Sequence, residues 1–208
     1  MAVRPIRIAL TKGRLEKETI KIFDKMQLDT SELKNKGRRL ILPLSGYEAV
    51  LAKAADVITY IEHGVCDIGI VGKDTILEYP GSFYEMLDLN IGKCVFALAG
   101  PKGFDFYSGY SVKTVATKYP NVARAFFEQK GMDVKIIKIE GSVELAPLLN
   151  LSEGIVDLVE TGNTLRENGL EIIETITPIS ARVIVNVASL KLRKTEIENF
   201  ISQMEKAI

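Results

Sequence analysis

One short stretch of the sequence combines acids, a glycine and small polar donors. An apolar run, residues 155–159, contains Asp157 and is followed by Glu160 and a loop of small residues, 161–164. A strand, a small-residue loop and a helix start commonly form a phosphate-binding loop. Gly162 lets the backbone approach a ligand, and the first N–H groups of a helix favour negative charge. The stretch therefore predicts an anion site.

The two acids constrain the ligand of such a site. Carboxylates repel phosphate, so Asp157 and Glu160 suit a ligand that carries hydroxyl groups as well, as a ribose phosphate does. Thr161, Asn163 and Thr164 add short donors to the loop. The alternative is a plain strand, turn and capped helix with Asp157 facing solvent, and the loop alone leaves both interpretations open.

A first pair of positive charges lies near the N-terminus. Lys12 and Arg14 occupy a turn between a predicted strand, residues 6–10, and a predicted helix, residues 15–26. In open α/β sheets, ligands bind beyond the carboxyl ends of strands, which is where this turn falls. Positive side chains at a helix start oppose the helix dipole, so they are either solvated or useful because an anion binds there.

A second group of positive charges precedes the next apolar run. Arg38 and Arg39 end a basic segment, residues 34–39, just before a predicted strand at 40–44. Most charge runs are solvated surface, and the alternative is a second anion contact. If both arginines already belong to the strand, their side chains alternate, and at most one of them faces a shared ligand.

The composition excludes several classes of protein. The chain has 208 residues, of which 47% are hydrophobic and 26% charged, as in an ordinary globular protein. Lys and Arg together number 27, as do Asp and Glu, so the formal net charge is zero. Electrostatic capture of nucleic acid requires a basic surplus, and we therefore expect no nucleic-acid partner.

Two further features of the sequence argue against a structural zinc site and against a membrane-spanning segment. Cys66, Cys94 and His63 are too few and too widely spaced for a structural zinc site. No apolar run is long enough to span a bilayer, and the N-terminal sequence shows no cleavable leader. We expect a soluble, cytoplasmic protein without a membrane partner.

Apolar runs and amphipathic segments alternate along the chain, which predicts an α/β fold with parallel or mixed sheets. The pattern restarts after Gly100, so we predict two lobes with a central cleft, where ligands commonly bind. The first lobe comprises residues 1–98 and 180–208, and the second comprises residues 99–179. Strands are predicted at residues 6–10, 40–44, 65–71, 93–99, 114–117, 134–139, 155–159, 170–176 and 181–188. Helices are predicted at residues 15–26, 54–64, 122–131, 143–149 and 194–207, with a short one from Thr75.

Several segments taken together resemble the ATP phosphoribosyltransferase family. The resemblance extends from about residue 6 to about residue 190, and the combination is far more specific than any single motif. The segments that carry it are residues 11–15, 56–64, 67–74, 116–122, 141–147 and 157–170.

The resemblance implies a reaction and a fold. Enzymes of this family join N1 of the adenine of ATP to C1 of phosphoribosyl pyrophosphate in the first step of histidine biosynthesis. Pyrophosphate is released, and Mg²⁺ is required. The implied fold is two-lobed and like that of the type II periplasmic binding proteins.

The resemblance also implies roles for particular residues. The loop would hold the 5′-phosphate of the sugar through Glu160, Thr161, Gly162, Asn163, Thr164 and Leu165. Asp157 matches the acid of the family's strand. Arg14 and Arg38 match catalytic basic positions around the pyrophosphate and triphosphate, and Lys12 and Arg39 would add charge nearby. The magnesium ligands remain open.

The length of the chain suggests a particular form of the family. It has no segment corresponding to the C-terminal histidine-binding domain of the long form, so it resembles the short form. Short-form chains work in a hetero-oligomer with a regulatory subunit that resembles histidyl-tRNA synthetase. Inhibition by histidine would then act through that partner.

Three other classes of protein share part of the pattern. A solute-binding protein would have the same fold, but it would carry a leader sequence. A purine or orotate phosphoribosyltransferase has a similar phosphate loop, but its two acids are usually adjacent, whereas Asp157 and Glu160 lie three residues apart. A LysR-type effector domain would need an attached DNA-binding helix-turn-helix, for which the sequence leaves no room.

Overall fold

Two separate β-sheets organise the chain in a computed structural model that describes residues 4–208. Residues 1–3, on which the expectation about a leader partly rests, lie outside the described residues. The strands are β1 (Arg7–Thr11), β2 (Ile41–Leu44), β3 (Tyr47–Ala52), β4 (Ile68–Gly72), β5 (Phe83–Asp88), β6 (Cys94–Pro101), β7 (Lys113–Thr117), β8 (Val134–Lys138), β9 (Gly154–Val159), β10 (Leu170–Ile179) and β11 (Ala181–Asn186). The helices are α1 (Arg14–Lys25), α2 (Ser31–Lys34), α3 (Ala54–Glu62), α4 (Lys73–Glu78), α5 (Pro120–Gln129), α6 (Leu145–Leu148), α7 (Asn163–Glu167), α8 (Val187–Leu192) and α9 (Lys194–Ala207).

The first unit contains the residues up to Gly92 together with Ser180–Ile208. Its sheet has the strand order β2-β3-β1-β4-β11-β5. Strand β1 is parallel to β3 and β4, whereas β11 returns antiparallel to β4. Helices α1 and α9 pack together over one face, where Phe23 and Phe200 make an edge-on aromatic contact with centroids 6.2 Å apart. The apolar stripe of α9 is thereby buried in the core of this unit.

The second unit contains Lys93–Ile179. Its sheet has the strand order β10-β6-β9-β7-β8. Strand β9 is central, antiparallel to β6 and parallel to β7. One face of the sheet packs against α5 through Phe126 and Phe127, and the other face carries α6 and α7. The strand before the predicted anion loop is therefore fixed on both edges and both faces.

The structure corrects several sequence-based boundaries. The first junction between the units follows Gly92, not residue 98, because β6 continues without a break through Gly100 and Pro101. Strands β3 and β5 and helices α2 and α8 had no predicted counterpart. Strand β10 is longer than predicted and passes through two irregularities in its pairing with β6. None of the helices described over residues 4–208 is long and apolar enough to cross a membrane.

Candidate active site

The 160–165 loop connects β9 to α7 through a left-handed glycine. Gly162 has φ 71° and ψ 7° and precedes the first residue of α7. An L-residue in this conformation is strained, which explains the glycine at this position. Leu165 is buried and anchors the short helix to the sheet, so the loop has a fixed base.

The start of α7 presents backbone donors. The Asn163 N–H donates to Thr161 Oγ1 over 3.4 Å. Within residues 4–208, the N–H groups of Thr164 and Leu165 have no protein acceptor. No side chain caps this helix start. The first amides of a helix without a cap favour an anionic ligand.

A cavity of about 230 Å³ lies against the loop. Its floor is formed by strands β6 and β9, where Asp157 pairs in register with Ala97, and Ile155 pairs with Ala99. The two alanines are small, which leaves space above the sheet beside the carboxylate. All seven site residues predicted in this unit line this space, which we call the Asp157 cavity: Asp157, Glu160, Thr161, Gly162, Asn163, Thr164 and Leu165.

Asp157 has an unusual environment for a carboxylate. The pKa of Asp157 is raised to about 6, chiefly by burial and to a smaller extent by the negative charge of Glu144. A hydrogen bond from the Leu158 backbone and the charge of Lys118 act in the opposite direction. A perturbed acid in a cavity beside free backbone donors is typical of a functional site. The half-buried Asp157 side chain lines the cavity, which favours this interpretation over the alternative of a solvent-facing strand residue.

The sequence analysis did not select Glu144, Ala97 or Ala99 as site residues. Glu144 immediately precedes α6, and the fold brings it to the Asp157 cavity from a position 13 residues before Asp157. The conspicuous segment at residues 141–147 was the available signal for Glu144. Nothing in the local sequence marks the alanines, because their role depends on their pairing with β9.

The predicted basic residues all belong to the first unit. Lys12 is exposed, and its backbone N–H donates to the Ala52 carbonyl over 2.9 Å. Arg14 opens α1, and its Nε lies 3.0 Å from Glu18 Oε1. Across residues 4–208, the Lys12 side chain forms no hydrogen bond or ion pair, so its charge is available to a ligand.

Arg38 and Arg39 differ sharply in their contacts. Neither lies in a strand, because β2 begins at Ile41. Arg39 Nη1 pairs with Glu32 Oε2 at 2.5 Å, and its other donors bind the carbonyls of Lys36 and Asn35, both at 3.2 Å. Arg38 is exposed and has no such partner in the described part of the chain. Of the two, Arg38 is the one free to bind a ligand.

The acidic side chains fit a metal ion that arrives with phosphates. No cluster of three or more His, Cys, Asp or Glu side chains suited to a metal occurs within residues 4–208. Asp157 and Glu144 nevertheless line the same cavity. Magnesium in phosphate-transfer sites is commonly held by one or two carboxylates together with substrate phosphates, and this arrangement matches that requirement.

Comparison with known proteins identifies the family. The family model described as ATP phosphoribosyltransferase matches residues 53–206. An ATP phosphoribosyltransferase of Clostridium kluyveri is 61% identical over 204 residues, which cover 97% of this chain and 93% of that protein. The chain belongs to the ATP phosphoribosyltransferase family. This family carries out the first step of histidine biosynthesis.

Solved structures agree with the family and the fold. A chain from the ATP phosphoribosyl transferase (HisG:HisZ) complex of Thermotoga maritima is similar, with a TM-score of 0.83 and 34% identity. The match covers 97% of this chain and 98% of that one. The periplasmic aliphatic sulphonate binding protein SsuA of Escherichia coli has a TM-score of 0.59 at 8% identity, over 99% of this chain and 73% of that one. This second likeness shows that the ATP phosphoribosyltransferase chain has the two-lobed type II binding-protein fold predicted from its sequence.

Proposed function

We propose that this chain transfers the phosphoribosyl group of phosphoribosyl pyrophosphate to N1 of the adenine of ATP, with release of pyrophosphate. The observation that carries the proposal is the Asp157 cavity. It combines the amides of Thr164 and Leu165, which have no acceptor within residues 4–208, with a half-buried acid, as a phosphate and a ribose hydroxyl require. The proposed reaction is the one that gives the ATP phosphoribosyltransferase family its name.

The 160–165 loop binds the 5′-phosphate in this proposal. The two free N–H groups, together with the hydroxyls of Thr161 and Thr164, donate to the phosphate oxygens. Asp157 accepts a hydrogen bond from a ribose hydroxyl, which a carboxylate can do when it is ionised. Two anchors, one at each side of the sugar, fix the position of C1 for attack by adenine N1.

The leaving pyrophosphate develops negative charge as the bond from C1 to its oxygen breaks. We assign Arg14 and Arg38 to stabilise that charge and the triphosphate, because guanidinium stays protonated and binds phosphate oxygens through two donors. Lys12 adds a free positive charge. Arg39, which was predicted to contribute charge, is held by Glu32 and two carbonyl groups, so we give it a structural role.

Magnesium is the metal ion that we propose for the reaction. Asp157 and Glu144 would hold it together with phosphate oxygens of the substrates. When bound, the ion neutralises phosphate charge. The negative charge of Glu144 raises the pKa of Asp157, so a nearby positive charge would stabilise the ionised form of both carboxylates. We place the reaction in the cytoplasm, where ATP-consuming biosynthesis takes place.

We propose a second subunit that resembles histidyl-tRNA synthetase. The similar chain from Thermotoga maritima belongs to a HisG:HisZ complex. The match covers 97% of the present chain. Many large apolar side chains are exposed on this chain, among them Leu149 (72% exposed) and Leu192 (83%). A contiguous patch of such side chains would mark an interface with another subunit. Inhibition by histidine would act through this partner.

The test is an assay with both substrates. The chain is incubated with ATP, phosphoribosyl pyrophosphate and magnesium, with and without the partner subunit, and the absorbance of the N1 adduct is followed. We expect adduct only when both substrates are present. Adduct formation with a free purine base or orotate, and none with ATP, would instead support the other class of phosphoribosyltransferase.

A further inference from the structure

Arg166 holds three consecutive residues of the 160–165 loop. Its backbone N–H donates to the Gly162 carbonyl over 3.1 Å. Its side-chain Nη1 donates to the Thr161 carbonyl over 3.3 Å, and Nη2 donates to Asn163 Oδ1. A single arginine thus fixes the residue before the left-handed glycine, the glycine itself and the residue after it.

The guanidinium lies close to Gly162. A methyl group added to Gly162 would lie 3.5 Å from Arg166 Nη1, so the two groups are in contact range. Arg166 lines a second cavity of about 550 Å³ that shares loop residues such as Thr161 and Gly162 with the Asp157 cavity, but it does not line the Asp157 cavity itself. Its contacts therefore support the loop from outside the Asp157 cavity.

The loop needs such support because its own local structure is weak. Helix α7 has only five residues and lacks a side-chain cap. Short helices are marginal in isolation, and a left-handed glycine has many other conformations available to it. The planar fork of a guanidinium can fix two acceptors at once, whereas a lysine ammonium cannot reproduce that geometry.

We infer that Arg166 is a positioning residue that keeps the 160–165 loop in its phosphate-binding conformation without touching the substrate. The inference rests on the proposed function of that loop. When only part of the population holds the binding conformation, apparent affinity falls by that fraction. Loss of Arg166 should therefore weaken the binding of phosphoribosyl pyrophosphate and leave the binding of ATP nearly unchanged.

The variants Arg166→Gln and Arg166→Lys test this inference. Arg124→Gln is the matched control, because Arg124 is also exposed and helical and its Nη1 donates to Asn121 Oδ1, three residues earlier, over 2.8 Å. In Arg166→Gln we expect the KM for phosphoribosyl pyrophosphate to rise about fivefold to tenfold, the size expected for a hydrogen bond from a charged group at an exposed position. The KM for ATP should change less than twofold, and Arg124→Gln should match the parent in both constants.

Arg166→Lys separates positioning from direct contact with phosphate. A positioning role predicts that lysine behaves like glutamine, since the fork is lost in both. If lysine restores the parent KM while glutamine does not, Arg166 acts through its charge, and the inference is wrong. Equal KM values for the parent and Arg166→Gln would also overturn it.

Hydrogen exchange provides a readout that does not depend on turnover. The amides of Arg166 and Asn168 donate to carbonyls of the loop, so they should exchange faster in Arg166→Gln than in the parent, and those of α5 should not change. Unchanged exchange of these two amides contradicts the positioning role even if the parent enzyme makes no adduct. If the parent forms no adduct in the presence of its partner subunit, that result counts against the proposed function. It does not count against the positioning role of Arg166.

Discussion

Each unit contains a strand–turn–helix connection with a positive-φ glycine, and the two connections differ in what they offer a ligand. In the first unit, β1 leads through Gly13 (φ 101°) into α1. In the second, β9 leads through Gly162 (φ 71°) into α7. Both connections were predicted to bind anions, but the donor groups that they present to a ligand differ.

The start of α1 is occupied by the protein itself. Glu16 Oε2 accepts a hydrogen bond from the Gly13 N–H over 3.3 Å. The Glu16 side chain is only 4% exposed, and its other oxygen pairs with Lys36. The carboxylate satisfies a donor that would otherwise attract a ligand. The Gly13 N–H is therefore not available to an anion, and we assign anion binding at this connection to the side chains of Lys12 and Arg14.

The start of α7 is open by contrast. Gly162 provides no cap, and the Thr164 and Leu165 amides have no protein acceptor within residues 4–208. Backbone amides fixed by a sheet are preorganised and cannot relax away from a ligand, whereas long basic side chains must be ordered when they bind. We conclude that the α7 connection positions the sugar, and that the α1 connection supplies mobile charge.

A carboxylate placed at the start of α7 should have the largest effect on the KM for phosphoribosyl pyrophosphate. Thr164→Glu places a carboxylate at the second residue of α7, where it competes for the free amides and repels phosphate. We expect the KM for phosphoribosyl pyrophosphate to rise at least ~100-fold, comparable with the misplacement of a substrate-positioning group. Steady-state kinetics measure this change.

Thr164→Gln is the control for length and shape without charge, and its KM should lie much closer to that of the parent. Thermal unfolding should show Thr164→Glu to be as stable as the parent or slightly more so, because an acid suits a helix start. Equal KM values for the two variants would show that the helix start does not bind the phosphate.

Replacing the free arginine of the first unit should have an intermediate effect. Arg38→Lys retains the charge but loses the two-donor fork, and we expect kcat to fall at least ~10-fold, by analogy with the loss of one donor to a developing oxyanion. The neighbouring change Arg39→Lys should leave kcat within about threefold, because Arg39 is held by Glu32 and two carbonyl groups. Equal rates for both variants and the parent would remove Arg38 from the mechanism.

Replacing Asp157 should have a smaller effect, which falls on the free energy of unfolding. Burial raises the pKa of Asp157 to about 6 in the folded protein, so the folded state binds a proton more readily than the unfolded state does. The free energy of unfolding therefore falls as pH rises from about 4 to above 6. At pH 8, Asp157→Asn should be more stable than the parent by about 1–2 kcal/mol, and the difference should shrink towards pH 4.

Urea unfolding at several pH values measures this difference. Asp133→Asn is the control, since Asp133 is an exposed acid in the same unit. A difference between Asp157→Asn and the parent that stays constant from pH 4 to pH 8 would show that the carboxylate carries no burial penalty.

Local sequence was sufficient for the loop but not for the groups around it. Gly162, Asp157 of β9 and the following Glu160 could be recognised because turn chemistry and alternation act over a few residues. The difference between Arg38 and Arg39 depends on Glu32, which is brought close by the fold of the 35–40 segment. Strand β3 pairs on one edge with β1, about 40 residues away, and this contact leaves no local periodic signal. Its other edge forms a hairpin with β2 through Ser45 and Gly46, a local turn signal that was overlooked.

The most direct test of the account is a crystal structure of the chain with phosphoribosyl pyrophosphate and magnesium. We predict that the 5′-phosphate lies within hydrogen-bonding distance of the Thr164 and Leu165 amides, with a ribose hydroxyl at Asp157. Well-defined density for the sugar phosphate elsewhere on the chain, with the α7 amides still free, would contradict the central claim.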